Sequence, residues 1–151
     1  MQLSQQNLTI ISGIENVCRK RNIKLTKQRK TVLMIMLNAQ KAMSAYDLLD
    51  LLKVEEPQAK PPTIYRVLEF LLQQGFIHKV ESTNSYIICP HFGQLNHVSI
   101  LFICDNCKQI LETNSTQIED SLKILASQYQ FQTKHSVIEI HGLCQSCHCE
   151  D

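Results

Sequence analysis

The chain does not open with a basic leader ahead of a long apolar run. Nor does it anywhere approach the ~20 consecutive apolar residues that a membrane-spanning helix needs. A helical membrane protein is thereby excluded, and the cytoplasm is the expected compartment. Internal repeats and low-complexity segments are also missing, which sets repeat arrays aside. With 44% hydrophobic residues, a mainly disordered chain is excluded too. The zinc deaminase signature, H-x-E followed by P-C-x-x-C, does not occur. Strong net charge is absent as well, since the total is +1.

That small total conceals an asymmetry. Residues 1–89 carry 12 Lys and Arg against 7 Asp and Glu, whereas residues 90–151 carry 3 against 7. A basic half that faces nucleic acid is therefore joined to an acidic half with a different task.

Of the seven cysteines, four fall in two C-x-x-C pairs, Cys104 with Cys107 and Cys144 with Cys147. In a reducing compartment such pairs are metal ligands rather than disulfides, and four thiolates suit a tetrahedral structural zinc. His78, Cys89, His91 and His97 upstream, with Glu112 downstream, make a mixed nitrogen, sulfur and oxygen set that this zinc does not need. A second metal site follows from them.

Along the chain, Leu8, Ile11, Ile14, Val17 and Cys18 share one helical face within 7–21, with Cys18 in the core. The stretch Arg19 to Lys30 holds seven basic residues and no acid; Thr26 is the expected N-cap of a second helix reaching Ala39. Such a run reads either as a solvated helix face or as a nucleic-acid contact. Ser44-Ala45-Tyr46-Asp47 has the form of a capping box and opens a helix ending near Val54.

The prolines of Glu55 to Pro62 predict an extended approach to a helix from Thr63 to Gln74, stopped by Gly75. Ile64, Val67, Leu68, Leu71 and Leu72 form its buried stripe, and Thr63, Tyr65 and Arg66 lie outside or beside it. A second helix presenting Tyr and Arg at its N-terminal end is how a recognition helix enters the major groove. Strands at 77–81 and 85–89 around the turn Ser82-Thr83-Asn84 complete a winged helix, with Lys79 near phosphate.

The Pro- and Gly-containing segment 90–96 is the expected hinge between a winged-helix domain, 1–89, and a smaller α/β domain, 97–151. In the latter, strands are expected at 98–103, 110–112 and 137–140, and a helix at 116–129. The fold class is α+β. A domain of about 55 residues needs support from a metal or from oligomerisation. Asp50 and Lys53, one turn apart, are read either as a solvated pair or as a contact between dimers.

With these features in hand, the chain resembles the ferric uptake regulator (Fur) family, and within it the zinc uptake regulator (Zur) branch. The resemblance rests on SAYDLLDLL at 44–52, EPQAKPPTIYR at 56–66, QGFIHKVESTNSY at 74–86, FICDNC at 102–107 and HGLC at 141–144. It implies a homodimeric repressor with an N-terminal winged helix-turn-helix and a C-terminal α/β dimerisation domain. DNA affinity in such a protein rises when the regulatory metal binds. Cys104, Cys107, Cys144 and Cys147 are assigned by the resemblance to the structural zinc, and His78, Cys89, His97 and Glu112 to the regulatory one, giving two zinc ions per chain. Tyr46, Tyr65 and Arg66 match positions that approach DNA, with Lys60 and Thr63 beside them.

The implied partners are double-stranded operator DNA and a second copy of the chain, as one or two dimers per operator, without membrane or small-molecule substrate. The regulatory set fills all four positions with protein ligands, whereas a catalytic zinc keeps one open for water, so no enzyme is expected. His91, His135 and His141 are read as structural or supporting residues, and His148 and Cys149 as tail. Two alternatives accompany this reading. One is a sensor of iron(II) or peroxide within the same family, the other a zinc-ribbon interaction module without metal-dependent DNA binding.

Overall fold

The computed structural model describes residues 4–94, 97–134 and 136–148, in two compact units, Met1–Gly93 and Gln94–Asp151. Leu95 and Asn96 of the expected hinge, His135 and Cys149 lie outside the described residues.

In the first unit, α1 spans Gln5–Lys20 and starts where the Ser4 hydroxyl accepts from the Asn7 amide. It ends at Asn22, whose φ of 52° takes the left-handed conformation usually given to glycine. The Ile23 amide closes that turn on the Cys18 carbonyl at 3.0 Å. The helix α2, Lys27–Ala39, is capped by Thr26 as its sequence predicts. A two-residue strand β1, Met43–Ser44, precedes α3, Ala45–Glu55, at whose start both bonds of the Ser44–Asp47 capping box are formed.

The recognition-type helix α4 runs from Pro61 to Gln73. It therefore includes both prolines expected to lie in an extended approach. Proline is well placed in the first turn, where its missing N–H has no intrahelical acceptor to lose and its fixed φ is already helical. The far end matches expectation: Gly75, at φ 72°, donates to Leu72, and Phe76 donates to Leu71, closing off the helix.

Strands β2, Ile77–Val80, and β3, Ser85–Ile88, form the wing around a tight turn with Asn84 at φ 47°. Their sheet has the order β1-β3-β2, and β1 was not foreseen. Two residues are too few for periodicity to register. Ile14, Leu33, Leu48, Leu52, Ile64, Leu68, Leu71 and Phe76 are all fully buried in this unit's core, so the expected stripe of α4 does face inward. Cys18 is buried among them. After the wing, the Phe92 ring sits against Gly13 so closely that a Cβ there would stand 2.9 Å from it. Glycine at the middle of α1 thus holds the segment leaving the wing against that helix.

In the second unit, β4 (Val98–Cys104) pairs antiparallel with β5 (Ile110–Thr113) and parallel with β6 (Ser136–Gly142), in the order β5-β4-β6. The crossover between β5 and β6 is α5, Thr116–Gln128, capped by Ser115. A short helix α6, Gln145–His148, follows. The central strand is buried along its length except at Phe102, which is 45% exposed.

Candidate metal centres and nucleic-acid face

Cys104 is the last residue of β4, Cys107 stands in the turn toward β5, Cys144 follows β6 and Cys147 belongs to α6. The parallel register sets Cys104 opposite Gly142, which brings the two C-x-x-C turns side by side. All four sulfurs lie within 4.8 Å of one another, and those of Cys107 and Cys144 are 3.7 Å apart. A disulfide would need about 2.05 Å. A tetrahedral zinc with Zn–S bonds of about 2.3 Å holds its sulfurs about 3.8 Å apart, so this spacing fits the ion.

The turns themselves prepare the thiolates. The Cys144 amide donates to the Cys104 sulfur at 3.4 Å, and Lys108, at φ 62°, donates its amide to the Cys104 carbonyl at 2.9 Å. Backbone amides, first that of Cys144 and then that of Cys107, hold the Cys104 thiol down to about 6. By contrast the Cys147 thiol is pushed up to about 12, chiefly by its contact with the Cys144 side chain. The Cys104 thiolate therefore forms readily. A dication is what allows all four to ionise together.

The second group comprises His78 and Cys89 of the first unit and His97 and Glu112 of the second. Within the first unit, His78 is on β2, and Cys89, just past β3, is buried with its amide donating to the Phe76 carbonyl at 2.9 Å. Within the second, His97 directly precedes β4, and Glu112 lies on β5 opposite Leu101. The Nδ1 of His97 is 2.5 Å from the Gln94 carbonyl. A carbonyl only accepts, so Nδ1 carries the proton and Nε2 is left as the ligand atom. Two imidazoles, a thiolate and a carboxylate suit zinc and disfavour magnesium or calcium. His91, also in the sequence-derived set, does not belong to this group.

The residues assigned to DNA occupy one stretch of the first unit. Tyr46 opens α3, while Lys60, Thr63, Tyr65 and Arg66 lie at or before the first turns of α4. Tyr46 and Tyr65 are 66% and 45% exposed, a high value for large side chains with no structural need to face water. Arg66 and Lys60 are exposed as well. The Thr63 hydroxyl accepts from the Lys60 amide at 3.3 Å, which ties it to capping α4. On the wing, Lys79 forms an ion pair with Glu81 at 2.7 Å.

Three members of the basic run do something its composition could not reveal. Arg29 lies 3.4 Å from the centroid of the Phe70 ring and donates to the Lys24 carbonyl at 2.6 Å. Arg21 donates to the Gln74 carbonyl at 2.7 Å, beside Phe76, and Lys30 pairs with Glu15 at 2.6 Å. These side chains fasten α1, α2 and α4 together. Nothing in the sequence signals this, since their partners Phe70, Gln74 and Glu15 lie on other segments.

Comparison with known proteins places this geometry in context. A family model described as the ferric uptake regulator family matches residues 20–141. The zinc uptake regulation protein of Escherichia coli (strain K12) is 52% identical over 138 residues, covering 91% of this chain and 81% of that protein. The ferric uptake regulation protein of Bacillus subtilis (strain 168) is 26% identical over 141 residues, covering 91% and 93%. Among solved structures, a zinc uptake regulator complexed with zinc and DNA superposes with a TM-score of 0.89 at 50% identity, covering 96% of this chain and 97% of that one.

Proposed function

The chain belongs to the ferric uptake regulator family, and from that premise we propose that it is a zinc-sensing transcriptional repressor that shuts off zinc-uptake genes. It binds operator DNA as a dimer when its regulatory site is filled. The observation that carries this reading is the pair of ligand groups, one of four thiolates and one of mixed donors, in a chain 52% identical to a zinc uptake regulation protein. Iron and peroxide sensing are less well supported, because identity falls to 26% and 22% with the regulators of those signals.

Cys104, Cys107, Cys144 and Cys147 hold the structural zinc, which pins the end of β4 to the end of β6. His78, Cys89, His97 and Glu112 hold the regulatory one. When bound, that ion supplies a cross-link between ligands on the winged-helix side of the hinge, 90–96, and ligands on the dimerisation side. The residues do the rest. His97 is locked in one tautomer by Gln94, and Cys89 is fixed by Phe76, so both donors are aimed before metal arrives. Restricting the hinge sets the separation of two winged helices in a dimer, and that separation must match two half-sites of an operator. Linkage makes the effect reciprocal: operator raises zinc affinity by the same factor as zinc raises operator affinity, typically about 5- to 150-fold.

The apolar side chains that the second unit leaves in water, among them Leu111, Ile124, Leu125 and Phe131, supply the surface for a second copy of the chain. Among the described residues no helix is long and apolar enough to cross a membrane. A protein that reads operators works where the chromosome is, in the cytoplasm.

The test is metal content per chain by mass spectrometry, on protein as purified, after mild chelation and after zinc reloading. Wild type moves between two zinc ions and one, whereas Cys89→Ser stays at one. Affinity for a near-palindromic duplex, selected from a random library by the zinc-loaded protein, follows the second ion. A wild type that holds one zinc under every condition would sink the sensing site.

A further inference from the structure

His141 lies on β6 between two carboxylates. Its Nδ1 is 3.0 Å from Oδ1 of Asp105, and its Nε2 is 3.6 Å from Oε2 of Glu139. Strand register explains the arrangement. Leu101 faces Glu139 and Ile103 faces His141 across the β4–β6 pair, so Asp105, two residues past Ile103, reaches the same face as both.

Asp105 is the first residue inside the first C-x-x-C turn, and its main chain is already tied down on both sides. Its amide donates to the Gly142 carbonyl at 2.8 Å, and its carbonyl accepts from the Lys108 ammonium at 2.5 Å. The His141 ring adds a side-chain bond to that pair. One strand thus grips the turn that carries Cys104 and Cys107, two residues before it delivers Cys144.

We propose that His141 is a positioning residue for the structural zinc: by donating from Nδ1 to Asp105 it fixes the first C-x-x-C turn against the second and slows loss of the ion. This rests on reading the four cysteines as a zinc site. His141 touches no sulfur. It acts through Asp105, which is adjacent to Cys104 in the chain. The two turns belong to opposite ends of the second unit's sequence, 37 residues apart at Cys107 and Cys144, so local chain stiffness does not hold them together. Cross-strand bonds must do so. Outer partners of this kind typically change metal affinity by 10- to 100-fold when removed.

The experiment uses the full chain, stripped of exchangeable zinc by mild chelation, and follows transfer of the remaining zinc to an excess of a chromogenic chelator. His141→Leu, which keeps bulk and removes both donors, releases zinc about tenfold faster than wild type. His141→Asn, whose amide nitrogen stands where Nδ1 does, stays within about twofold of wild type, whereas His141→Gln, whose amide stands where Nε2 does, behaves like Leu. Asp105→Ala reproduces the Leu rate, and the double variant is no faster than either single one. Equal rates for Asn and Gln would overturn the proposal even if Leu failed to fold. A Leu variant that releases zinc at the wild-type rate would overturn it as well. Wild-type protein with no retained zinc would instead overturn the zinc site on which it rests.

Discussion

Arg29 sits near the end of the most basic run of the chain, which composition reads either as a solvated helix face or as a nucleic-acid contact. Its contacts assign it to the fold, and Arg29→Ala separates the two. The guanidinium donates to the Lys24 carbonyl at 2.6 Å and covers the Phe70 ring at 3.4 Å from its centroid. For a half-exposed site the charged hydrogen bond is worth about 1 kcal/mol and the cation–π contact about 1 kcal/mol, so the variant loses about 2 kcal/mol. With a urea dependence of about 1–3 kcal/mol per molar, the midpoint falls by about 1 M. The chain has no tryptophan, and three of its four tyrosines, Tyr46, Tyr65 and Tyr86, belong to the first unit, so tyrosine fluorescence follows the right part of the molecule. Arg29→Lys keeps the charge but not the flat stacking surface, and recovers less than half of the loss. Below its own midpoint, Arg29→Ala binds operator with an unchanged salt dependence. A midpoint shift under about 0.2 M, or a salt slope reduced by about 1, would refute the assignment, since a lost phosphate contact lowers the slope by roughly that amount.

Two further outcomes follow from the first unit. The Ser44 hydroxyl and amide bond to Asp47 and hold its carboxyl below the usual carboxylate range, the hydroxyl bond being the larger cause. A depressed folded value gives stability above the unfolded value, near about pH 3.9, that disappears as pH falls through the folded one. Asp47→Ala is therefore less stable than wild type at neutral pH, and its gap from wild type in urea midpoint closes in acid; a gap independent of pH would contradict the capping role. Arg66, exposed beside Tyr65 on α4, is expected to read a base edge. Arg66→Ala weakens operator binding by about 1–3 kcal/mol, measured by fluorescence anisotropy, with zinc content and circular dichroism unchanged.

Features that depend on neighbours in sequence were legible, and features that depend on neighbours in space were not. Ser44 and Asp47 stand three apart, which is the whole of a capping box, so pattern sufficed. The C-x-x-C pairs are legible for the same reason: each turn fixes two sulfurs locally, leaving only the convergence of the turns to the fold. Pro61 and Pro62 misled because proline has two opposite preferences, an extended residue before it and a helical φ at it, and only the second applied inside α4. Arg21 and Arg29 were opaque because their partners, Gln74 and Phe70, come from a helix some 40 to 50 positions later. His78, Cys89, His97 and Glu112 have no mutual spacing that any single element would impose. Resemblance to a family, rather than periodicity, assigned them.

The second unit shows why this chain commits so many ligands to so few residues. Among its described residues, every buried apolar side chain belongs to β4: Val98, Ile100, Leu101, Ile103 and Cys104. The helix α5 buries none of its residues, and β5 and β6 are at best half-covered. One strand does not make a core able to offset the entropy of ordering the rest of the unit. What remains is to bind a metal across the end of that strand and to cover α5 and its neighbours with a second copy. Both supports act on the same three-stranded sheet, and the row Glu112–Leu101–Glu139 crosses its middle. The strand that carries Glu112, the strand that ends at Cys104 and the strand that carries His141 are therefore adjacent members of one hydrogen-bonded ladder. In such a sheet, holding zinc, staying dimeric and presenting Glu112 in place are one structural requirement.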